Sequence, residues 1–564
     1  MSLLTATIGD YLLSRFSEIG IRHIFGVPGD FNLWFLEQAK KAGQIAFVGC
    51  CNELNAAYAA DGYSRLAGIS ALATTYGVGE LAAISGVAGA YSEHVPVVCV
   101  TGAPPMSAIE KRALLHHTMA DGNYTNMLNC YKEFTVAQAR LTPSNARTEI
   151  DRVLRACWIE KRPVYLQLPS DVAGVITRPP SQPLDLDPAL SDPQQLECAI
   201  SLLSRRLAKA TAPAILIDAD ADRFDLVELV LLLAQASTIP VAHLISAKGS
   251  ISYGHPQSIG IYRGAGSAPE VRQAIEGSDC LICLATRFTD IASGLFSHRI
   301  DAGAVIDLGP FTLSIDGIFF NAVNAAELLS GLLASPPRTM CNVSVRPENL
   351  IRAAGIGEDS LTQVSFWRQV QDFLQSGDVL VTDTGTPFFG TAGLVLPEGA
   401  SFVAQPIWAA LGYALPAILG TTLAAPDRRH LLFLGDGAMQ MTVQELSTIL
   451  RLQLKPIIFL INNDGYTIER LILGQDSGYN DINPWRYGQL PIVLDCNNRT
   501  AVYLVKSNDE LQAALVAAGD ASIPHLIEVA FPRMDVPEPL ARFARRAAEF
   551  DFSQLREEEA CNEP

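Results

Sequence analysis

The chain is short of charge, of clustered cations and of long apolar runs, and each shortage excludes something. Charged residues make up 18% of the 564 and hydrophobic ones 49%, too little charge for a disordered chain and enough apolar surface for several cores. Acidic residues outnumber basic ones by 59 to 41, a net charge of −18. With no basic run to meet phosphates, no nucleic-acid partner is expected. The longest apolar stretch, "LVELVLLLAQAS", is interrupted by Glu228 and Gln235. It falls short of the ~18–20 residues of a membrane span, so no membrane partner is expected either. The opening residues carry Asp10 and no basic leader, so no secretion signal is expected. The 11 cysteines are scattered, and an odd count without such a signal fits reduced thiols and a cytoplasmic location. Cys280 and Cys283 have C-x-x-C spacing inside a strand-like run, where residues three apart face opposite sides, so buried strand cysteines are expected rather than a zinc or redox pair. Internal repeats and low-complexity segments are also lacking.

What is present is an alternation of short apolar runs and helical patterns, which indicates α/β folding around parallel sheets. Proline-rich stretches at 177–193 and 334–350 resist helix and sheet interiors and read as linkers. They leave an N-terminal domain over 1–180, a middle domain over 195–335 and a C-terminal domain over 355–564. Many of the apolar runs end in Gly, Asp or Thr, as in "HIFGVPGD", "VLVTDTG" and "HLLFLGDG", which is how loops at the carboxyl edge of an open sheet read, and ligands bind at that edge.

The strongest motif is "LLFLGDGAMQMTVQELSTIL" followed by "KPIIFLINNDGYTIE". A strand ends in Gly435-Asp436-Gly437, a helix follows, and a second strand ends in Asn462-Asn463-Asp464-Gly465. Thr442 and Glu445 have the spacing of a capping box that would open the helix. Glycine lets backbone approach a phosphate, and Asp436 with Asn463 offers the hard oxygen ligands that suit Mg²⁺. Asp-Gly and Asn-Asp-Gly are also ordinary turn sequences, but a β-α-β unit puts both ends on one sheet edge.

Other residues carry two readings at this level. Glu53 in "CNELNAAYAADG" follows Asn52, a helix-capping type, and an acidic residue in a first turn suits the helix dipole. Leu411 in "QPIWAALGYALP" and Phe388 in "TGTPFFG" read as core. His116 and His117 in "LLHHT" are metal ligands, core filler or proton-handling groups. Adjacent histidines do not converge on one ion as i, i+4 pairs do, which disfavours the first.

The GDG-to-NN layout resembles the diphosphate-binding motif of thiamine diphosphate enzymes. "HIFGVPGDFNLWFLE", "CNELNAAYAADGYSR", "TTYGVGELAAISGVAGAYSEHVPVV", "LLHHT", "TGTPFFG" and "NNDGYTIER" resemble, in the same order, the pyruvate and indolepyruvate decarboxylase family. That resemblance implies three α/β domains, the first and third of the thiamine-diphosphate-binding fold and the middle one Rossmann-like. It implies non-oxidative decarboxylation of a 2-oxo acid to an aldehyde and carbon dioxide, with thiamine diphosphate and Mg²⁺ as cofactors. Asp436, the Asn463 side chain and the Gly465 carbonyl would hold the metal. Thr386, Gly435, Gly437, Ala438 and Ile468 would contact the cofactor, Leu411 would prop it in a bent shape, and Glu53 would bond its aminopyrimidine ring. Where relatives commonly read WGSIG, this chain has Trp408-Ala409-Ala410-Leu411-Gly412, one hydroxyl fewer. Asp30, His116, His117 and Glu469 would form the acid–base set, a task to which histidine is suited.

Thr384, Phe388 and Ile468 would shape the substrate pocket together with the C-terminal helix. Thr384 resembles pyruvate-type members, while Phe388 and the wording of "RFTD" and "GYNDINPW" resemble the indolepyruvate and branched-chain group, so bulky substrates are expected. The cofactor of the family lies between two subunits, which implies a homodimer as the smallest active unit and a homotetramer as the assembly. The alternative within this reading is a pyruvate decarboxylase, and two more distant rivals remain. One is an acetolactate-synthase-like carboligase with a flavin in the middle domain; the other is a non-catalytic cofactor-binding homologue.

Overall fold

The computed structural model describes residues 6–338 and 360–562 apart from 496, 498 and 521. Most of the second proline-rich stretch, from residue 339 on, lies outside the described residues. Strands β1 (Ala6–Thr7) and β8 (Ile176–Thr177) pair as a short antiparallel ribbon. Between them run β2 (His23–Gly26), β3 (Ala46–Gly49), β4 (Ser70–Thr75), β5 (Val97–Ala103), β6 (Gln138–Arg140) and β7 (Val164–Pro169). They form an all-parallel sheet in the order β3-β2-β4-β5-β7-β6.

The third sheet comprises β16 (Val379–Thr382), β17 (Ser401–Val403), β18 (His430–Gly435), β19 (Ile457–Asn462), β20 (Ala501–Val505) and β21 (His525–Ala530). Its order, β17-β16-β18-β19-β21-β20, repeats the first sheet strand for strand and is again all parallel. Each of these sheets changes direction of winding at one place, between β2 and β4 and between β16 and β18. A crevice opens there at the carboxyl ends of the strands.

The middle sheet holds β9 (Pro213–Ile217), β10 (Val241–His243), β11 (Ser258–Ile261), β12 (Cys280–Leu284), β13 (Val305–Leu308), β14 (Leu313–Ile315) and β15 (Ile318–Phe320). It runs β11-β10-β9-β12-β13 in parallel and closes with antiparallel β14 and β15. Cys280 and Cys283 are both buried, in core layers on opposite faces of β12, as the strand period requires. None of the described cysteines is in a disulfide.

Central strands such as β5, β7 and β9 are buried throughout, which explains their continuous apolar runs: parallel strands are covered on both faces. The first and third sheets share one core, in which helix Glu53–Ala67 lies against helix Ala414–Ala424. Small residues allow that approach, since a Cβ on Gly62 or Gly420 would collide with the backbone of Ala417 or Ala59.

Candidate functional site

At the third sheet's edge, β18 ends at Gly435 and Asp436 opens helix Asp436–Thr442 directly. The Asp436 carboxyl is buried. It accepts the Gly437 N–H at 2.8 Å and the Gly465 N–H at 3.0 Å, and burial pushes its pKa up to about 6. No described cationic side chain pairs with it, so it is a buried acid suited to a bound cation. Asn463, 4% exposed, lies next to it at the end of β19. The loop that follows is pinned by buried Arg470, whose guanidinium donates to the Asn463, Asp464 and Asn480 carbonyls and to Asp481. Gly465 has φ +126° and packs against the Asn480 carbonyl, a place where only glycine fits. A Cβ built on Gly435 would meet nothing within 4 Å, so open space lies before the acid. Asp436 and Asn463 supply the hard oxygen donors that fit a Mg²⁺-bound diphosphate.

The expected capping box is not formed. Thr442 ends one short helix and its hydroxyl donates to the Gly412 carbonyl at 2.7 Å. A second helix, Glu445–Arg451, starts after Gln444 without a side-chain cap. Glu445 is fully buried and accepts the Cys51 N–H at 3.2 Å and the Asn55 side-chain amide at 2.9 Å, both from the first domain. These long-range bonds replace the local ones.

Across the winding change from β18, the segment after β16 carries Asp383, Thr384, Gly385 and Thr386. Asp383 accepts N–H bonds from Thr384 (3.1 Å), Gly412 (3.1 Å) and Ala414 (2.9 Å), which ties this segment to the loop bearing Leu411. Burial pushes its carboxyl up to about 6. That loop is held from the other side by buried Glu93, which accepts the Ile407 and Trp408 N–H groups at 2.7 and 3.1 Å. Leu411 is partly buried against the shared core. Thr386 begins helix Thr386–Ala392 after Gly385, whose φ is +79°. Phe388 shares an apolar cluster with Phe389, Leu540, Ile468 and Phe543, so the C-terminal helix does reach this pocket region. Thr384 is partly buried at its start. Beyond the Phe389–Phe543 pair, 5.0 Å between rings, lies a cavity of about 440 Å³ bordered by Trp367, Ile291, Arg263 and Arg542.

At the first sheet's edge, the loop after β2 presents Asp30. His116 Nε2 is 2.8 Å from Asp30 Oδ2, and Phe31 stacks on the His116 ring at 5.2 Å. The expectation that neighbouring histidines diverge fails here. His117 adopts φ +61°, which turns its ring to 4.5 Å from that of His116. The ligand atoms of Asp30, His116 and His117 all lie within 4.8 Å of one another. Glu53 stands in the first turn of its helix, capped by Asn52, whose side chain accepts the Asn55 N–H, so the structural reading of that glutamate holds. Its carboxylate faces Gly79, where a built Cβ would come within 2.9 Å of Oε1.

Two groupings are not made within one chain. Among the described residues Glu53 does not contact Asp436. Glu469, exposed in the first turn of helix Thr467–Ile472, bonds to none of Asp30, His116 or His117. Sequence reasoning missed Asp383 and Glu93, and gave Glu445 a local capping role in place of its bonds to the first domain. Only Asp383, at the end of the apolar run "VLVTD", had a signal that could have been read.

At the winding change of the middle sheet, between β9 and β12, carboxylates and an arginine follow the strand ends. Asp218 accepts the Ala219 and Arg287 N–H groups, Arg287 reaches the Ser92 carbonyl at 2.7 Å, and Asp220 pairs with His94 at 2.6 Å. These bonds join the middle domain to the first.

Three family models match the chain: the N-terminal TPP binding domain of thiamine pyrophosphate enzymes over residues 6–125, their central domain over 200–315 and their C-terminal TPP binding domain over 384–529. An alpha-keto-acid decarboxylase of Mycobacterium tuberculosis (strain ATCC 25618 / H37Rv) is 42% identical over 548 residues, 95% of this chain and 96% of the relative. Proteins of the same description from Mycobacterium avium (strain 104) and Mycobacterium ulcerans (strain Agy99) are 41% and 40% identical, over 96% and 94% of this chain and the same shares of the relatives. Matched from end to end in three domains, the chain belongs to the family of thiamine-diphosphate-dependent 2-oxo acid decarboxylases.

Proposed function

We propose that the protein is a carbon–carbon lyase that converts bulky 2-oxo acids, of the indolepyruvate, phenylpyruvate or branched-chain kind, to aldehydes and carbon dioxide without oxidation. Thiamine diphosphate and Mg²⁺ are its cofactors. The observation that carries the reading is the pairing, in one chain, of a buried oxygen-donor site at Asp436 with an Asp30–His116–His117 cluster at the matching edge of a twin sheet. When bound, thiamine diphosphate supplies the electron sink that lets the carboxylate leave as carbon dioxide.

The residues of the chain have separate tasks in this reading. Asp436, the Asn463 amide oxygen and the Gly465 carbonyl hold Mg²⁺, and Thr386, Gly435, Gly437 and Ala438 line the diphosphate and ring contacts. Leu411 and Ile468 hold the cofactor's shape by packing, so that reacting atoms meet in register. Glu53 holds a proton at the aminopyrimidine nitrogen. His116 and His117, with Asp30 and Glu469, deliver a proton to the reacting carbon and recover one from the product hydroxyl. Thr384, Phe388 and Ile468 border the substrate side chain, and the apolar cluster that Phe388 and Ile468 share with Leu540 and Phe543 supports the bulky class.

A homodimer is the smallest working unit in this reading, as the resemblance to the family implies, with Glu53 and Asp436 of one site coming from different chains. Exposed apolar side chains flank both edges, Val78, Leu114 and Met119 at one and Trp408 and Met441 at the other, as an unpaired interface would leave them. A tetramer built from two such dimers is the assembly we favour.

The test is carbon dioxide release by the purified protein with both cofactors, over pyruvate, 2-oxoisovalerate, phenylpyruvate and indolepyruvate. Highest kcat/KM on the bulky acids is expected. Preference for pyruvate, which Thr384 would favour, overturns the substrate class alone. Cofactor binding without release from any acid overturns the decarboxylase reading in favour of a non-catalytic homologue.

A further inference from the structure

Below the first sheet's edge lies a carboxylate that the catalytic reading does not use. Glu80 is fully buried in the first turn of helix Val78–Ser92. One oxygen accepts the Gly77 N–H at 2.7 Å, and the other accepts the Tyr165 hydroxyl at 2.5 Å. The Tyr131 hydroxyl donates to its backbone carbonyl at 2.7 Å. Tyr165 is itself backed by Gln167 at 3.3 Å, and Gln167 by Arg140 at 2.5 Å. This chain of bonds anchors the segment Gly77-Val78-Gly79, which leaves β4 at the winding change.

That segment is wedged between two members of the candidate site. Gly77, at φ +65°, packs so closely on the His117 backbone that a Cβ would strike its carbonyl oxygen. Gly79 packs on the Glu53 carboxylate, and a Cβ there would come within 2.9 Å of Oε1. The spacing of the glycines therefore transmits the position of the segment to both residues. A buried acid held by two donors in separate elements is a costly feature that stays in place only when its bonds are made. The Tyr165 hydroxyl donates to one oxygen and the Gly77 amide to the other, so each bond fixes the carboxylate plane for its partner.

We infer that Glu80 is a positioning residue: by fixing Gly77 and Gly79 it sets the Glu53 carboxylate and the His117 backbone in register for proton transfer. The inference rests on the reading of Glu53 as the group at the cofactor's aminopyrimidine nitrogen. It differs from a purely structural role in what it moves. Misplacing Glu53 slows loss of the thiazolium C2 proton, a process that can be followed on the bound cofactor without substrate. A merely structural Glu80 would lower thermal stability and leave that exchange alone.

The experiment compares Glu80→Gln, Tyr165→Phe, Gly79→Ala and Glu53→Gln as loaded enzyme with Mg²⁺. The readouts are hydrogen–deuterium exchange at C2 of bound thiamine diphosphate, cofactor affinity, and kcat and KM. Glu80→Gln sets an amide N–H₂ against one of two donors. It is expected to slow exchange and kcat together by roughly tenfold or more, with KM and cofactor affinity within about threefold, because misplacement acts on the reacting geometry. Gly79→Ala should reproduce that pattern, and Tyr165→Phe, which spares the Gly77 bond, should show a smaller version. If Glu80→Gln fails to fold, Gly79→Ala and Tyr165→Phe decide alone. Wild-type exchange in Gly79→Ala and in whichever Glu80 or Tyr165 variant folds overturns the inference, provided Glu53→Gln is slow. Wild-type exchange in Glu53→Gln overturns the reading of Glu53 beneath it.

Discussion

The first and third sheets have the same strand order and the same winding change, yet their crevices are built for opposite purposes. The third is dry. Asp436 and Asp383 are 1% exposed and Asn463 4%, and backbone amides and Arg470 hold their loops in place. In the single chain the first leaves the side chains of His116 and Asp30 60% and 48% exposed, and its geometry comes with a left-handed turn at His117 and the stacked Phe31. A buried acid with no cation partner suits a site that must grip a metal and a diphosphate. A cluster of imidazoles and a carboxylate suits one that must exchange protons with substrate. The middle sheet supplies the contrast to both, since Asp220 and Arg287 at its carboxyl edge fasten it to the first domain.

The division can be broken one edge at a time. The largest effect is expected from Asp436→Ala. Loss of a hard oxygen ligand should lower carbon dioxide release by about 10³-fold or more and weaken cofactor binding in parallel. Steady-state kinetics and a cofactor titration read both. His116→Ala should cost about 10²–10⁴ in kcat, the usual contribution of a proton-transfer group. Cofactor affinity should stay within about threefold of wild type. If affinity and turnover fell together at His116 too, the two edges would not be separable.

A smaller effect is expected where the edges are tied together. Glu445→Ala leaves the N–H of exposed Cys51 and the buried Asn55 amide without their acceptor, and the buried amide alone should cost about 1–3 kcal/mol. A lowered midpoint in denaturant, with an unchanged slope, checks this. The smallest is a pH trend. Burial raises Glu80 from 4.5 to about 7, so the folded protein binds this proton more tightly than the unfolded chain does. The stability it contributes is present below the unfolded value and is lost as pH rises through about 7. Glu80→Gln has no proton to lose. The melting temperature of the variant minus that of the wild type should therefore climb between about pH 5 and pH 8, and a flat difference would contradict the assignment.

Much of this was legible in the sequence where local rules govern. Buried parallel strands show as unbroken apolar runs, and loops at their carboxyl ends show as Gly, Asp and Thr. Together these placed Asp436, Asn463 and Gly465 on one edge. Asn52 capped its helix as its residue type indicates. The failures share a cause, which is partners far away in sequence. Thr442 and Glu445 have capping-box spacing, but Gly412, Cys51 and Asn55 offer better bonds. His116 and His117 converge because one backbone angle is positive, a choice that nothing in "LLHHT" records. Glu80 matters through its burial and through the Tyr165 hydroxyl, 85 residues away, and Asp383 through the Gly412 and Ala414 amides of a distant loop, partners that a linear pattern does not name.

The central claim is that a working site joins the first sheet's edge of one chain to the third sheet's edge of another. Co-expression of differently tagged Glu53→Gln and Asp436→Ala chains, followed by purification of the mixed species, tests it directly. Each variant alone should release almost no carbon dioxide. In the mixed dimer one site carries both substitutions and the other carries neither, so about half of the wild-type rate per dimer should return, as two independent sites require. Mixed dimers as inactive as the parents would show that Glu53 and Asp436 act within one chain, and would contradict the account.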